Sequence, residues 1–302
     1  MTPTRPRGIY PILYAFFDDT GALDRDAFRR QIEACIASGA HGIAILGLIT
    51  EVSGLTPGER ETLVRWTVED IGGRVPLMAT IAGRDAVEAG ELAVAAERAG
   101  ADYLILQPPL GSGPTTPLPD FYADIMRQVS LPVGIQNAPE YLGVGLDVDE
   151  LVALRRRCDN FTIMKGEGPA VTVKRYIDAL GSDFDVFNGR GGLELPDMIL
   201  AGAAGMIPAP DCADIQVAIF NAVEAGDLER AMALYQRILP YIVFAMQTID
   251  AHILYGKQVF ARRAGIANAS ACRVPKEVRQ PFFEVAGTRW SESFGPYGGA
   301  SF

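Results

Sequence analysis

Arg98-Ala99-Gly100-Ala101-Asp102, running into Tyr103-Leu104-Ile105-Leu106, reads as a helix end, a left-handed turn at glycine and a short aliphatic strand. The same small-residue punctuation stands at Ser38-Gly39-Ala40 and at Ala201-Gly202-Ala203-Ala204-Gly205, each before another short aliphatic run. Working outward, strands are expected near Ile9 to Phe16, Gly42 to Leu46, Val75 to Ile81, Tyr103 to Leu106, Val133 to Gln136, Phe161 to Lys165, Asp185 to Asn188 and Gly205 to Pro208. Helical periods fill the gaps. They open at Asp24, at Thr56 with Pro57 in first helical position, at Asp85, at Pro119-Asp120 and at Asp147. Eight such βα units most simply close into a (β/α)8 TIM barrel. A doubly wound open sheet competes, but the turn Phe17-Asp18-Asp19-Thr20-Gly21 after the first strand carries no GxGxxG, so a dinucleotide crevice has no support.

The alternation stops after about Asn221. From Asp227 to Tyr255, and again from Gly256 to about Val285, the period is helical, with Leu228, Ala231, Met232, Leu234, Tyr235, Ile238 and Leu239 on one stripe. The expected division is a barrel over 8–222 and a helical extension over 223–302, packed on the barrel and available to a neighbouring subunit. The tail from Trp290 to Phe302 reads as irregular.

The 302 residues suit one barrel of about 250 residues with an extension. A net charge of −10 argues against nucleic acid as a partner, and Arg155-Arg156-Arg157 reads as a solvated helix end. Cys35, Cys158, Cys212 and Cys272 are scattered, and His41 and His252 lie far apart, so neither a disulfide framework nor a metal site is expected. The start, Met1 to Arg7, leads into no long apolar run, and no stretch reaches the ~18 apolar residues of a membrane span. A cytoplasmic protein is the default expectation.

Function in a barrel sits at the carboxyl ends of the strands. Those ends carry Gly47-Leu48-Ile49-Thr50-Glu51, Gln107-Pro108-Pro109-Leu110, Gln136-Asn137-Ala138-Pro139, Lys165-Gly166-Glu167, Gly189-Arg190-Gly191-Gly192 and Pro208-Ala209-Pro210. Lys165 is the most informative. The chain has four lysines against 23 arginines, yet it places an ammonium at the end of the apolar run Phe161-Thr162-Ile163-Met164. Arginine cannot give up its proton at working pH, whereas a desolvated lysine can, and its free amine attacks carbonyls. The bland reading is a lysine snorkelling off a strand end.

On these ends the chain resembles the dihydrodipicolinate synthase/N-acetylneuraminate lyase family of class I lyases, from about Gly8 to the C-terminal helices. The resemblance implies that Lys165 forms a Schiff base with the ketone of a 2-oxo acid, with no metal or organic cofactor. It implies that Gly47, Leu48, Ile49 and Thr50 hold the substrate carboxylate, with Gly189, Arg190 and Ile207 as further substrate-binding positions. Homo-oligomers, tetramers or dimers, are the family habit. Glu167 points the same way as Lys165 if the strand persists, as an acid/base group or as a counter-ion. Arg190 either binds the far end of the substrate or pairs with Glu194. Glu51 reads as a structural anchor of its loop, and His41, before strand two, as structural.

The departures narrow the reading. The family motif after strand two carries hydroxyls where Leu48 and Ile49 stand. Gln136 replaces the proton-relaying tyrosine after strand five, and a neutral amide is neither acid nor base. Tyr141 stands where true dihydrodipicolinate synthases keep a carboxylate-binding arginine, and Leu110 where they keep a tyrosine, which argues against lysine biosynthesis. The combination Thr50-Glu51, Gln136-Asn137-Ala138-Pro139 and Lys165-x-Glu167-x-Pro169 is similar to the branch that dehydrates 2-keto-3-deoxy sugar acids such as L-2-keto-3-deoxyarabonate. Dehydration through a lysine-bound enamine is therefore expected, with Lys165, Glu167, Gln136 and Thr50 as the reacting set. Pyruvate-dependent aldol cleavage is the alternative within the family, and a non-catalytic 2-oxo-acid-binding protein is the alternative of another class.

Overall fold

The computed structural model describes residues 5–110, 116–267 and 269–299. The expected start before Arg5 and the last three residues of the expected tail lie outside them. The strands are β1 Gly8–Ile9, β2 Ile43–Ile45, β3 Leu77–Ile81, β4 Tyr103–Leu106, β5 Val133–Asn137, β6 Phe161–Gly166, β7 Asp185–Asn188 and β8 Gly205–Met206. They pair in parallel in the order β1-β8-β7-β6-β5-β4-β3-β2. A bridge between Ile12 and Ala44 joins the two ends, with Ala44 N donating to Pro11 O and Leu13 N to Ala44 O. The architecture is thus a (β/α)8 barrel.

The first and last strands are shorter than expected, for a covalent reason. Pro11 has no N–H, so the ladder skips it. On either side of it the pairing with the last strand goes on: Tyr10 N donates to Met206 O and Ile12 N to Pro208 O.

Helices α1 Arg25–Ala37, α2 Pro57–Ile71, α3 Ala86–Ala99, α4 Leu118–Met126, α5 Pro139–Leu142, α6 Val148–Arg157, α7 Ala170–Leu180, α8 Leu195–Leu200 and α9 Ala213–Glu224 surround the strands. Asp24 and Asp85 cap α1 and α3, and Thr56 with Glu59 and Asp147 with Glu150 form reciprocal capping boxes. At α4 the expected cap fails: the helix begins at Leu118 behind Pro117, with no side-chain cap. Gly100 and Gly202 end their helices at φ +104° and +100°, as the small-residue turns require.

The extension comprises α10 Leu228–Ala245, α11 Ile249–Ala251, a π turn His252–Gly256, α12 Lys257–Ala264 and α13 Pro281–Phe294. On α10 the buried stripe is Ala231, Leu234, Tyr235 and Ile238, continuing to Tyr241, Ile242 and Ala245. Leu228 and Met232, expected on it, are exposed. The second helical period is broken between Gly265 and Gln280, where Arg273 and Val274 donate their amides to Glu51. The tail is helical as far as Phe294, because Tyr241 and Trp290 pack on that ring. No single helix among the described residues is long and apolar enough to cross a membrane.

Candidate active site

Three neighbouring strands end on a chain of polar side chains. Gln107 follows β4, Gln136 lies in β5 opposite Lys165 of β6, and Glu167 follows β6. Lys165 Nζ lies 3.2 Å from Glu167 Oε1, and both side chains are only 8% exposed. Gln136 Nε2 donates to Glu167 Oε2 at 2.6 Å, and Gln107 Nε2 donates to Gln136 Oε1 at 2.7 Å. The carboxylate fixes the polarity of this chain, because it can only accept. Gln136 is thereby committed as a donor that holds Glu167 against the amine. Gln107 was missed as a site residue: an amide after a strand has no signature until its partner is known.

The Glu167 position depends on an unsubstituted neighbour. Gly189 N is held by Asn188 Oδ1, and a β-carbon on Gly189 would lie 2.0 Å from Glu167 Oε1. Gly189, expected as a substrate-binding position, leaves the space that the Glu167 carboxylate fills.

The turn after β2 begins at Leu46 with φ +65° and ends at Glu51 with φ +60°, two of the three non-glycine residues in left-handed backbone among the described residues. Thr50 N and Glu51 N donate back to Gly47 O and Leu48 O. The amides of Leu48 and Ile49 have no acceptor among the described residues. Thr50 departs from expectation: it is fully buried and donates its hydroxyl to Leu13 O at 2.6 Å. Its one proton is engaged in fixing the turn. Glu51 is an anchor, with Oε1 2.6 Å from Lys257 Nζ and Oε2 accepting from Arg273 N and Val274 N.

A pocket opens here, lined by Leu48, Ile49, Lys165, Glu167, Arg190 and Ile207 of the expected set. Gly47, Thr50, Gln136 and Gly189 are not among its lining residues. Arg190, the third left-handed residue, bonds Glu194 at 2.9 Å, while its Nε and Glu194 Oε2 are buried without a partner. Tyr141 also lines the pocket; burial raises its phenol, opposed by the adjacent Arg190 guanidinium. Met246, Ile249 and His252 from the extension complete the wall, and sequence reading had placed none of them in the site. His41 lies elsewhere, accepting from Ile9 N with Nδ1 and bonded to Asn221 through Nε2.

Comparison with known proteins bears on the family and the fold. The chain is 29% identical over 245 residues to L-2-keto-3-deoxyarabonate dehydratase of Azospirillum brasilense, covering 79% of each chain. It is 27% identical over 238 residues to 4-hydroxy-tetrahydrodipicolinate synthase of Methanopyrus kandleri, covering 77% of this chain and 79% of the relative. In fold it superposes on dihydrodipicolinate synthase from Aquifex aeolicus with a TM-score of 0.87 at 23% identity, covering 96% and 98% of the two chains. Residues 5–280 match the dihydrodipicolinate synthetase family as a whole, and with the barrel and its strand-end lysine in place, the chain belongs to that family of lyases.

Proposed function

We propose that the protein dehydrates a 2-keto-3-deoxy sugar acid through an imine on Lys165, with L-2-keto-3-deoxyarabonate as the first substrate to test. The observation that carries this reading is the buried contact of Lys165 Nζ with Glu167 Oε1, beside an oxygen held by an amide where a proton relay would stand. Glu167 takes a proton from the ammonium, and the freed amine attacks the C2 ketone. Glu167 returns that proton to the carbinolamine hydroxyl, which leaves as water and gives an iminium, an electron sink that acidifies C3. The free amides of Leu48 and Ile49 suit the C1 carboxylate, and the unpartnered Nε of Arg190 suits oxygens at the far end. A proton leaves C3 to Glu167, and the enamine expels the C4 hydroxyl as water. No metal or organic cofactor is needed.

Aldol cleavage of C3–C4 from the same imine is the second reading, favoured by the synthases among the relatives. It needs a base on the C4 hydroxyl, which Gln136 cannot be. The test is to incubate the protein with 2-keto-3-deoxy acids, and with pyruvate plus aldehydes, and weigh the products. A product lighter by one water with all its carbons is expected; equal pyruvate and aldehyde would reverse the assignment. Borohydride with pyruvate should add its reduced adduct to Lys165 and to nothing in Lys165→Ala; an adduct at Lys174, Lys257 or Lys276 would remove Lys165 from the chemistry.

The same reading takes the protein as a cytoplasmic homo-oligomer. Val278, Phe282 and Val285, 83%, 76% and 70% exposed, offer apolar surface that a second copy would cover. Light scattering of the purified protein checks this.

A further inference from the structure

His252 belongs to no motif, yet it reaches the pocket that holds Lys165. It opens the π turn His252–Gly256, a geometry that recurs at functional sites. Gly256 makes the turn's packing possible. A β-carbon there would lie 2.6 Å from His252 Cδ2, 2.5 Å from the Tyr14 hydroxyl and 3.0 Å from Asp211 Oδ2. Behind the imidazole, Nε2 lies 3.0 Å from Asp211 Oδ2, and the same oxygen accepts from the Tyr241 hydroxyl.

A carboxylate has no proton to give, so Nε2 carries one and Nδ1 is the nitrogen left to exchange. Among the described residues, Nδ1 meets the Met246 thioether, at 3.2 Å. That sulfur is a weak acceptor on a flexible side chain, and Met246 itself lines the pocket. A substrate hydroxyl that displaced it would be the better partner.

Burial alone would raise the Asp211 carboxyl, but His252 and the Tyr241 hydroxyl outweigh it and hold the group below its usual range. Burial holds the Tyr241 and Tyr14 hydroxyls well above theirs, so both stay protonated. The dyad therefore presents one fixed carboxylate and one exchangeable imidazole proton. The titratable and charged groups facing it are Asp211, Tyr241 and Tyr14 behind, and Lys165, Glu167, Tyr141 and Arg190 around the pocket.

We propose that His252, oriented by Asp211, is the acid that protonates the C4 hydroxyl as it departs. The inference rests on the dehydratase reading above and names the group that stands in for the absent tyrosine. The C3–H bond breaks toward Glu167 and leaves the enamine. Its electron pair then forms C3=C4 while the C4–O bond breaks, and the imidazolium gives its Nδ1 proton to the oxygen, releasing water. A second water hydrolyses the iminium and frees Lys165. Glu167 has gained one proton and His252 lost one, and exchange with solvent restores both. Asp211 is a positioning residue in this scheme, since the imidazole is the one reacting group it touches.

The experiment compares wild type and His252→Gln on L-2-keto-3-deoxyarabonate and on its 4-deoxy-4-fluoro analogue, whose fluoride leaves without needing a full proton. Dehydration by the variant should fall on the order of 10²–10⁴-fold, the usual worth of a general acid. Fluoride release should stay within about tenfold of wild type, and trapping of pyruvate on Lys165 by borohydride should persist. Equal loss on both substrates, or no loss on either, overturns the proposal. If the variant traps no pyruvate because it does not fold, wild type decides the matter. Its kcat should fall with rising pH for the hydroxy acid and not for the fluoro acid, and a shared limb overturns the assignment. A wild type that traps pyruvate but dehydrates no such acid defeats the dehydratase reading instead.

Discussion

Gly189 and Glu167 occupy one space: the site exists because residue 189 has no side chain. A β-carbon there would stand 2.0 Å from Glu167 Oε1, the oxygen that faces Lys165 Nζ. Gly189→Ala should therefore swing the carboxylate out of reach of both Lys165 and Gln136. We expect kcat to fall on the order of 10²-fold, with a melting temperature within a few degrees of wild type. Wild-type kcat in this variant would mean that Glu167 takes no part in proton transfer.

The buried pair Glu51–Lys257 ties the turn after β2 to the extension. Both side chains are fully buried, and the other Glu51 oxygen accepts two backbone amides. Lys257→Met removes the cation and leaves the carboxylate behind, which should cost about 3–5 kcal/mol. Adding Glu51→Gln should return part of that loss. Denaturant titration of the four proteins gives the coupling. Additive losses would mean that the two groups do not act as a pair.

The barrel was legible because its signals are local. Tyr103–Leu106 and Asp185–Asn188 carry their strand propensity and their turns within a few residues, and both lie where the sequence put them. Lys165 was legible because a cation ending an apolar run is conspicuous in a chain with few lysines. What escaped depends on long-range partners. His252 meets Asp211 across 41 residues of sequence, through a π turn that leaves no mark in the hydrophobic period. Thr50 offered a hydroxyl beside the site, but only the extended chain after Pro11 supplies the carbonyl that takes it. The α13 helix runs past Trp290 because Tyr241, some fifty residues earlier, waits for Phe294.

Glu59 and Arg273 make a second tie between barrel and extension, and this one responds to pH. The Arg273 guanidinium holds the Glu59 carboxyl down to about 2, against an opposing push from burial. A folded value below the unfolded one stabilises at pH above the ordinary 4.5, and that stability is lost as pH falls toward about 2. Arg273→Met should lower the melting temperature most near neutral pH, with the gap to wild type narrowing in acid. Some gap should remain, because Arg273 also donates to Gly21 O and stacks on Phe17. A gap that widened in acid would contradict the assigned shift.

On the proposed reading, Arg190 serves the far end of the substrate. Its left-handed backbone turns the side chain into the pocket, where Nη1 is satisfied by Glu194 and Nε has no partner. A buried donor without an acceptor is costly, and a ligand oxygen placed there would relieve it. Pyruvate, which ends at C3, is too short to reach beyond the imine. Arg190→Ala should thus leave borohydride trapping of pyruvate nearly unchanged, while raising KM for a five-carbon acid on the order of 10- to 100-fold, as loss of one charge-assisted hydrogen bond of about 1.5–3 kcal/mol requires. Arg190→Lys keeps the charge but not the fork and should recover little. If pyruvate trapping fell as far as turnover of the longer acid, Arg190 would be organising the site as a whole through Glu194 and Tyr141, and chain-length selection would have to come from Tyr141, Met246 and Ile249.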